Sequence, residues 1–178
     1  MIILIDQDGP LADFEKGFFE NWQTQFPGEF FVPLNQRRTF YIRDDYPKNL
    51  RDKVESIYFA PGFFLNLLPI NGSIKALKTL VEFGHDVKIC TSPLSNYENC
   101  VLEKYQWVEK YLGRDFTKRI ILIKDKTLVK GHVLIDDKPI IENAKTAEWE
   151  HIIYDYPYNQ IVLDKKRLTW MNWEEVLN

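Results

Sequence analysis

Short, nearly unbroken apolar runs recur along the chain at residues 2–6, 86–91, 119–123, 132–136 and 151–155, each rich in Ile, Val or Leu. Several lack the alternation of a half-exposed strand, and helical stretches lie between them. That pattern predicts a parallel sheet covered on both faces. One intervening helix starts at Ser73, placed as an N-cap, carries Ile74, Leu77, Leu80 and Val81 as an apolar stripe, and closes at Gly84. Another, over about 101–112, sets Leu102, Tyr105, Val108 and Leu112 on one face and stops at Gly113. Trp170, Trp173, Val176 and Leu177 predict a last helix docking onto the core.

Residues 14–72 break this alternation. They are dense in aromatics (Phe14, Phe18, Phe19, Trp22, Phe26, Phe30, Phe31, Phe40, Tyr41), and Pro27-Gly28, Pro33, Pro47, Pro61-Gly62 and Pro69 cut them into short pieces. The expected organisation is an α/β core over 1–15 and 73–178. A small helical cap over 16–72 is inserted after the first strand, with hinges near 14–16 and 69–73.

Composition narrows the function classes. An apolar share of 45% and an aromatic share of 15% exclude a disordered chain. The 23 basic and 26 acidic residues leave a net charge of −3, which offers no general attraction for long nucleic acid. A small phosphorylated molecule held by a few local cations remains compatible. The two cysteines, Cys90 and Cys100, make neither a disulfide framework nor a zinc site. The N-terminal apolar run is four residues followed by acids, unlike a signal peptide, and no segment reaches membrane-spanning length. The expectation is a soluble, cytoplasmic protein. For the aromatics of the insert, a homodimer interface and ordinary core packing are equally compatible.

Four segments carry candidate chemistry, each directly behind an apolar run. Asp6-Gln7-Asp8-Gly9 places two carboxylates one residue apart, so both can face the same way at the carboxyl edge of a sheet, where ligands of open α/β sheets bind. Such a pair either holds a divalent cation or divides nucleophile and acid/base roles. A solvated turn is the bland alternative, weakened by the partners that follow. Thr91-Ser92-Pro93 offers hydroxyls and backbone N–H groups for phosphate oxygens, or merely caps a helix. In Lys124-Asp125-Lys126, Lys126 is placed to neutralise phosphate, with Lys104 in reserve. In Leu134-Ile135-Asp136-Asp137, adjacent acids after an apolar strand repel unless a cation or hydrogen-bond donors compensate. Asp137 is favoured as the Mg²⁺ ligand, Asp136 as its orienting neighbour.

In this order the four segments resemble the haloacid dehalogenase-like (HAD) phosphatases. Asp6-Gln7-Asp8-Gly9-Pro10-Leu11-Ala12-Asp13-Phe14-Glu15, Gln36-Arg37-Arg38-Thr39-Phe40 and Glu103-Lys104-Tyr105-Gln106-Trp107-Val108-Glu109 narrow the resemblance to the 5′(3′)-deoxyribonucleotidases, as do Lys124-Asp125-Lys126-Thr127 and Trp149-Glu150-His151-Ile152. The resemblance implies a Rossmann-like core with a small helical cap and Mg²⁺-dependent hydrolysis of deoxynucleoside monophosphates. It implies Asp6 as nucleophile and Asp8 as general acid/base, the latter giving its backbone carbonyl to the metal beside Asp6 and Asp137. It further implies Thr91, Ser92 and Lys126 as phosphate ligands, and Phe14, Phe40, Tyr41 and Ile42 as the base pocket. Tyr41 stands where some members carry tryptophan, and Lys124 where arginine is expected. A sugar-phosphate phosphatase of the same superfamily and a phospho-accepting receiver-like domain are the rival readings.

Overall fold

In the computed structural model, which describes residues 1–177, six parallel strands lie in the order β3-β2-β1-β4-β5-β6. They are β1 (Ile2–Ile5), β2 (Asp86–Thr91), β3 (Ile120–Leu122), β4 (Val133–Asp136), β5 (Glu150–Tyr154) and β6 (Arg167–Leu168). The five expected strands are present, β2 with the expected bounds, β5 displaced by one residue and the other three shorter, and β6 is an addition. The helices are α1 (Phe14–Gln25), α2 (Arg51–Tyr58), α3 (Phe63–Asn66), α4 (Ser73–Glu82), α5 (Cys100–Leu112) and α6 (Trp173–Leu177).

β1 is the central strand because both of its faces are apolar. Ile3 and Ile5 join the large core, while Leu4 points the other way into a smaller cluster with Cys90, Leu134 and Trp149. In register, Ile5 sits beside Ile89 of β2 and Ile135 of β4. The residues just beyond these three isoleucines therefore gather at the same edge of the sheet. Chain order runs outward in opposite directions from β1, which makes the carboxyl end of β1 the switch point where doubly wound sheets bind ligands.

Between β1 and α4 the chain forms α1, α2 and α3, joined by 3-10 turns at 34–36, 42–45 and 48–50. The Asp13 side chain caps α1 by accepting from the Lys16 amide at 3.1 Å. Phe18 and Trp22 of α1 and Val54 and Ile57 of α2 are buried in the same apolar cluster as Ile3 and Ile5, so the insert shares its core with the sheet. A buried ion triad holds its polar interior. The Arg37 guanidinium donates to both Glu15 oxygens, at 2.7 and 3.1 Å, and to Asp45. Gly17 lets α1 approach α3, since a Cβ there would lie 2.3 Å from Leu67 Cδ2.

Two local expectations are corrected. Gly72, at φ +85°, takes the cap position of α4, because the Ser73 hydroxyl donates to the Leu11 carbonyl at 3.2 Å instead of to its own helix. The buried face of α5 keeps Val108 and Leu112, as expected, but is rotated away from Leu102 and Tyr105. Leu102 is 61% exposed and Tyr105 36% exposed, while Cys100, Glu103, Lys104, Trp107 and Val108 face inward. The reason is that α5 buries charges. Glu103 accepts from the backbone N–H groups of Gly62 at 2.6 Å, Phe64 at 3.0 Å and Leu65 at 3.4 Å, pinning the start of α3. Trp107 Nε1 adds a bond to the Leu67 carbonyl at 2.8 Å.

Removing the carboxylate of Glu103 strands three amide donors at a mostly buried junction. Glu103→Ala is therefore expected to lose about 2–3 kcal/mol of stability in urea unfolding, the range for hydrogen bonds to a charged group, and Glu103→Gln less. A loss within 0.5 kcal/mol, roughly that of an ordinary surface change, would refute the anchoring role.

Candidate active site

The carboxyl ends of β1, β2 and β4 deliver Asp6, Asp8, Thr91, Asp136 and Asp137 to one place, and the turn after β3 delivers Lys126. Lys126 is buried and its ammonium bridges Asp6 Oδ1 at 3.0 Å and Asp136 Oδ2 at 2.6 Å. Its two anionic neighbours outweigh the burial penalty and hold it charged. Lys104, reaching up from α5, is fully buried and bridges the Asp8 carboxylate and Thr91 Oγ1, the latter at 2.9 Å. The site thus uses both candidate lysines, one under each aspartate of Asp6-Gln7-Asp8.

The two acids after β4 differ in how fully they are engaged. Asp136 spends one oxygen on Lys126 and the other on the Lys138 amide at 2.9 Å. Asp137 accepts from the Tyr158 hydroxyl through Oδ2, and its buried Oδ1 has no partner. Asp8 Oδ1 is likewise buried and unpaired. Ligand oxygens of Asp6, Asp136 and Asp137 lie within 4.8 Å of one another, close enough to share a single cation. Gly9, at φ +93°, completes the approach, since a Cβ there would stand 2.6 Å from the Asp137 carboxyl. Three acids, two orphaned oxygens and an oxygen-only donor set fit a hard divalent cation such as Mg²⁺.

Burial is the main force on these groups. It raises the pKa of Asp6 against the pull of Lys126, and that of Asp8 against the pull of Lys104. Asp137 is pushed well above the ordinary carboxylate range, first by burial and then by repulsion from Asp136 and Asp6. Beneath them, burial lowers the His151 pKa to about 4, leaving a neutral imidazole. Lys165 Nζ lies 2.7 Å from its Nδ1, so Nε2 donates to the Asp136 carbonyl at 3.4 Å.

A cavity of about 610 Å³ opens over the acids. Asp6, Asp8, Ser92, Lys126 and Asp137 line its floor, and Phe14, Phe40, Tyr41, Ile42 and Tyr58 its apolar wall. Phe14 packs edge-on to Phe63, with ring centroids 5.2 Å apart. Ser92 donates its hydroxyl to the Ile123 carbonyl at 2.8 Å. Thr91 alone among the expected substrate residues does not line the cavity; it is fully buried and acts on the site only through Lys104. Tyr158, Asn159, Glu15 and Arg37 had no assigned role in the sequence. The signal available for the first two was their position just after β5, in Tyr156-Pro157-Tyr158-Asn159.

Comparison with solved structures places the architecture in the HAD class. A HAD-family hydrolase of Deinococcus radiodurans, solved with bound phosphate and sodium, superposes with a TM-score of 0.61 at 14% identity, covering 99% of this chain and 94% of that one. A HAD-hydrolase of Bacillus subtilis, bound to magnesium, gives 0.60 at 12% identity, covering 99% and 98%. These distant likenesses establish the fold.

Sequence goes further, and the chain belongs to the 5′ nucleotidase, deoxy (pyrimidine), cytosolic type C family, whose model matches residues 1–178. The human cytosolic-type 5′(3′)-deoxyribonucleotidase is 47% identical over 186 residues, covering 99% of this chain and 92% of the human one. The human mitochondrial 5′(3′)-deoxyribonucleotidase is 39% identical, covering 99% and 82%. A Bordetella pertussis relative, provisionally named for the same activity, is 52% identical over 177 residues, covering 99% and 95%. Family membership sets aside the receiver-like alternative. No helix among the described residues is long and apolar enough to cross a membrane.

The raised pKa of Asp137 has a stability consequence of definite sign. A carboxyl that binds protons more tightly folded than unfolded contributes fully below the ordinary carboxylate range, and that contribution is lost as pH rises through the raised value. The metal-free protein is therefore penalised at neutral pH. Asp137→Asn is expected to raise its melting temperature there by about 2–4 °C, the shift for roughly 1 kcal/mol at this size. The difference should grow with pH, and added Mg²⁺ should stabilise only the unaltered protein. A variant less stable than the parent at neutral pH would contradict this.

Proposed function

We propose that this protein is a cytoplasmic phosphatase that hydrolyses deoxyribonucleoside monophosphates by way of an aspartyl-phosphate on Asp6, with Mg²⁺ held by Asp6, Asp137 and the backbone carbonyl of Asp8. The observation that carries the reading is the meeting of an aspartate–lysine floor with an aromatic wall in one cavity. The floor suits a phosphate and the wall suits the face of a base. Names of relatives at 39% and 47% identity support the same substrate class.

Each residue then has a task. Lys126 and the Gln7 amide, at 3.0 and 2.8 Å, both hold Asp6 Oδ1, which leaves Oδ2 to attack phosphorus. As that bond forms, the bond from phosphorus to the sugar oxygen breaks, and the protonated Asp8 gives its proton to the departing oxygen. In the second step a water oxygen attacks phosphorus, Asp8 takes its proton, phosphate leaves and Asp6 is restored. The raised pKa of Asp8 suits the first half of this exchange. Bound Mg²⁺ supplies positive charge against the phosphate oxygens. Lys126 adds its own, and Lys104 sets the position of Asp8. The insert serves as a cap that narrows access of water to Asp6.

Asp6→Asn is expected to abolish phosphate release from dUMP and dTMP, by on the order of 10³-fold or more, the scale for loss of a nucleophile. Near-normal turnover would refute Asp6. For Asp8→Asn the loss should be large with a nucleotide, whose sugar oxygen needs a proton, and much smaller with p-nitrophenyl phosphate, whose leaving group does not. Because protonated Asp8 starts the reaction, kcat/KM for dUMP should fall as pH rises through its raised pKa. A panel of dUMP, dTMP, ribonucleotides and glucose 6-phosphate separates the rival substrate class, and preference for the sugar phosphate would overturn the deoxynucleotide reading.

A further inference from the structure

We propose that Tyr158 is the positioning residue for Asp137, and that Arg37 of the insert acts on the cation site through it. The inference rests on the reading that Asp137 helps to hold a divalent cation.

Tyr158 lies in the 3-10 turn Pro157–Asn159, directly after β5, and is 3% exposed. Its hydroxyl donates to Asp137 Oδ2, and among the described residues no other side chain donates to that carboxylate. Asn159, in the same turn, donates through Nδ2 to the Asp137 main-chain carbonyl at 2.9 Å and to the Tyr154 carbonyl at 2.8 Å. One short turn therefore sets both the backbone and the carboxyl of Asp137, and leaves Oδ1 the free oxygen. Without the phenol, the carboxyl is free to rotate about its terminal torsion, a broad two-fold well.

The Tyr158 ring is itself held. It stacks on Tyr156, with centroids 5.2 Å apart and planes 9° apart, and Tyr156 donates its hydroxyl to the Gly9 carbonyl at 3.0 Å. The Arg37 guanidinium sits 5.5 Å from the Tyr158 ring centroid. Arg37 has little freedom, because Glu15 grips it through two bonds and Asp45 through a third. A continuous set of contacts thus runs from α1 and the 42–45 turn, through Arg37 and Tyr158, to Asp137. Outer-sphere partners of this kind change metal affinity when removed, typically by 10–100-fold.

The test is Mn²⁺ binding to the full chain without substrate, followed by the electron paramagnetic resonance signal of free Mn²⁺ and by competition with Mg²⁺. Tyr158→Phe keeps the stacked ring and removes only the hydroxyl. It is expected to weaken Mn²⁺ about 10-fold or more. Arg37→Lys keeps a cation between Glu15 and Asp45 but loses the planar group beside the ring. It is expected to weaken Mn²⁺ about 2–5-fold, a fraction of the hydroxyl's effect, and to have no effect once Tyr158→Phe is present. Unchanged affinity in Tyr158→Phe overturns the positioning role. An Arg37→Lys effect that is absent, or equal in both backgrounds, overturns the link to the insert. No Mn²⁺ binding by the unaltered protein would instead bring down the cation reading itself, and this inference with it.

Discussion

The constraint on which the rest of this structure depends is electrostatic. Four carboxylates are delivered to the ends of adjacent parallel strands, and among the described residues only two ammonium groups, those of Lys104 and Lys126, are buried with them. Parallel register leaves little choice, because Ile5, Ile89 and Ile135 lie side by side and the residues beyond them share a small volume. Lys126 and Lys104 offset part of the repulsion. Asp137 and Asp8 keep oxygens without partners, an imbalance that a bound cation would offset. The protein alone thus carries a deficit of positive charge at this sheet edge.

The surroundings follow from that requirement. Buried lysines need long, apolar approaches, and α5 supplies one by facing Glu103 and Lys104 inward. Lys104 lies 5.1 Å from the Phe64 ring, while Glu103 grips the amide of that same residue and those of Gly62 and Leu65. Neutral groups finish the shell. His151 stays uncharged beneath Asp136, and the Tyr156 and Tyr158 hydroxyls are pushed well up by burial and by nearby carboxylates, which keeps them protonated as donors. Phe14, Phe40 and Ile42 add an apolar face to the same cavity.

Much of this was legible in the sequence because each reactive segment ends an apolar strand. Asp6, Asp8, Thr91, Lys126 and Asp137 could be placed at one sheet edge without coordinates, and the cluster of Asp6, Asp136 and Asp137 confirms that proximity. Phe14, Phe40, Tyr41 and Ile42 also meet in one wall. What escaped was whatever hydrophobic periodicity misstates. Val108 and Leu112 of the expected α5 face are buried, but the apolar stripe gave no place to Glu103 and Lys104, whose burial turns Leu102 and Tyr105 outward. Ser73 reads as a cap, yet its hydroxyl bonds to Leu11, 62 residues away in sequence. β6 has two residues and is held by the amide of Asp155 on the Leu168 carbonyl, too short to leave a pattern. The pairing of Arg37 with Tyr158 spans the chain from insert to C-terminal third and leaves no local trace.

Glu103 and Lys104 are consecutive residues, so α5 grips the insert with one side chain and an aspartate of the reaction centre with the next. A swing of α3 away from α5 would have to strip three amides from a carboxylate before any gap appeared.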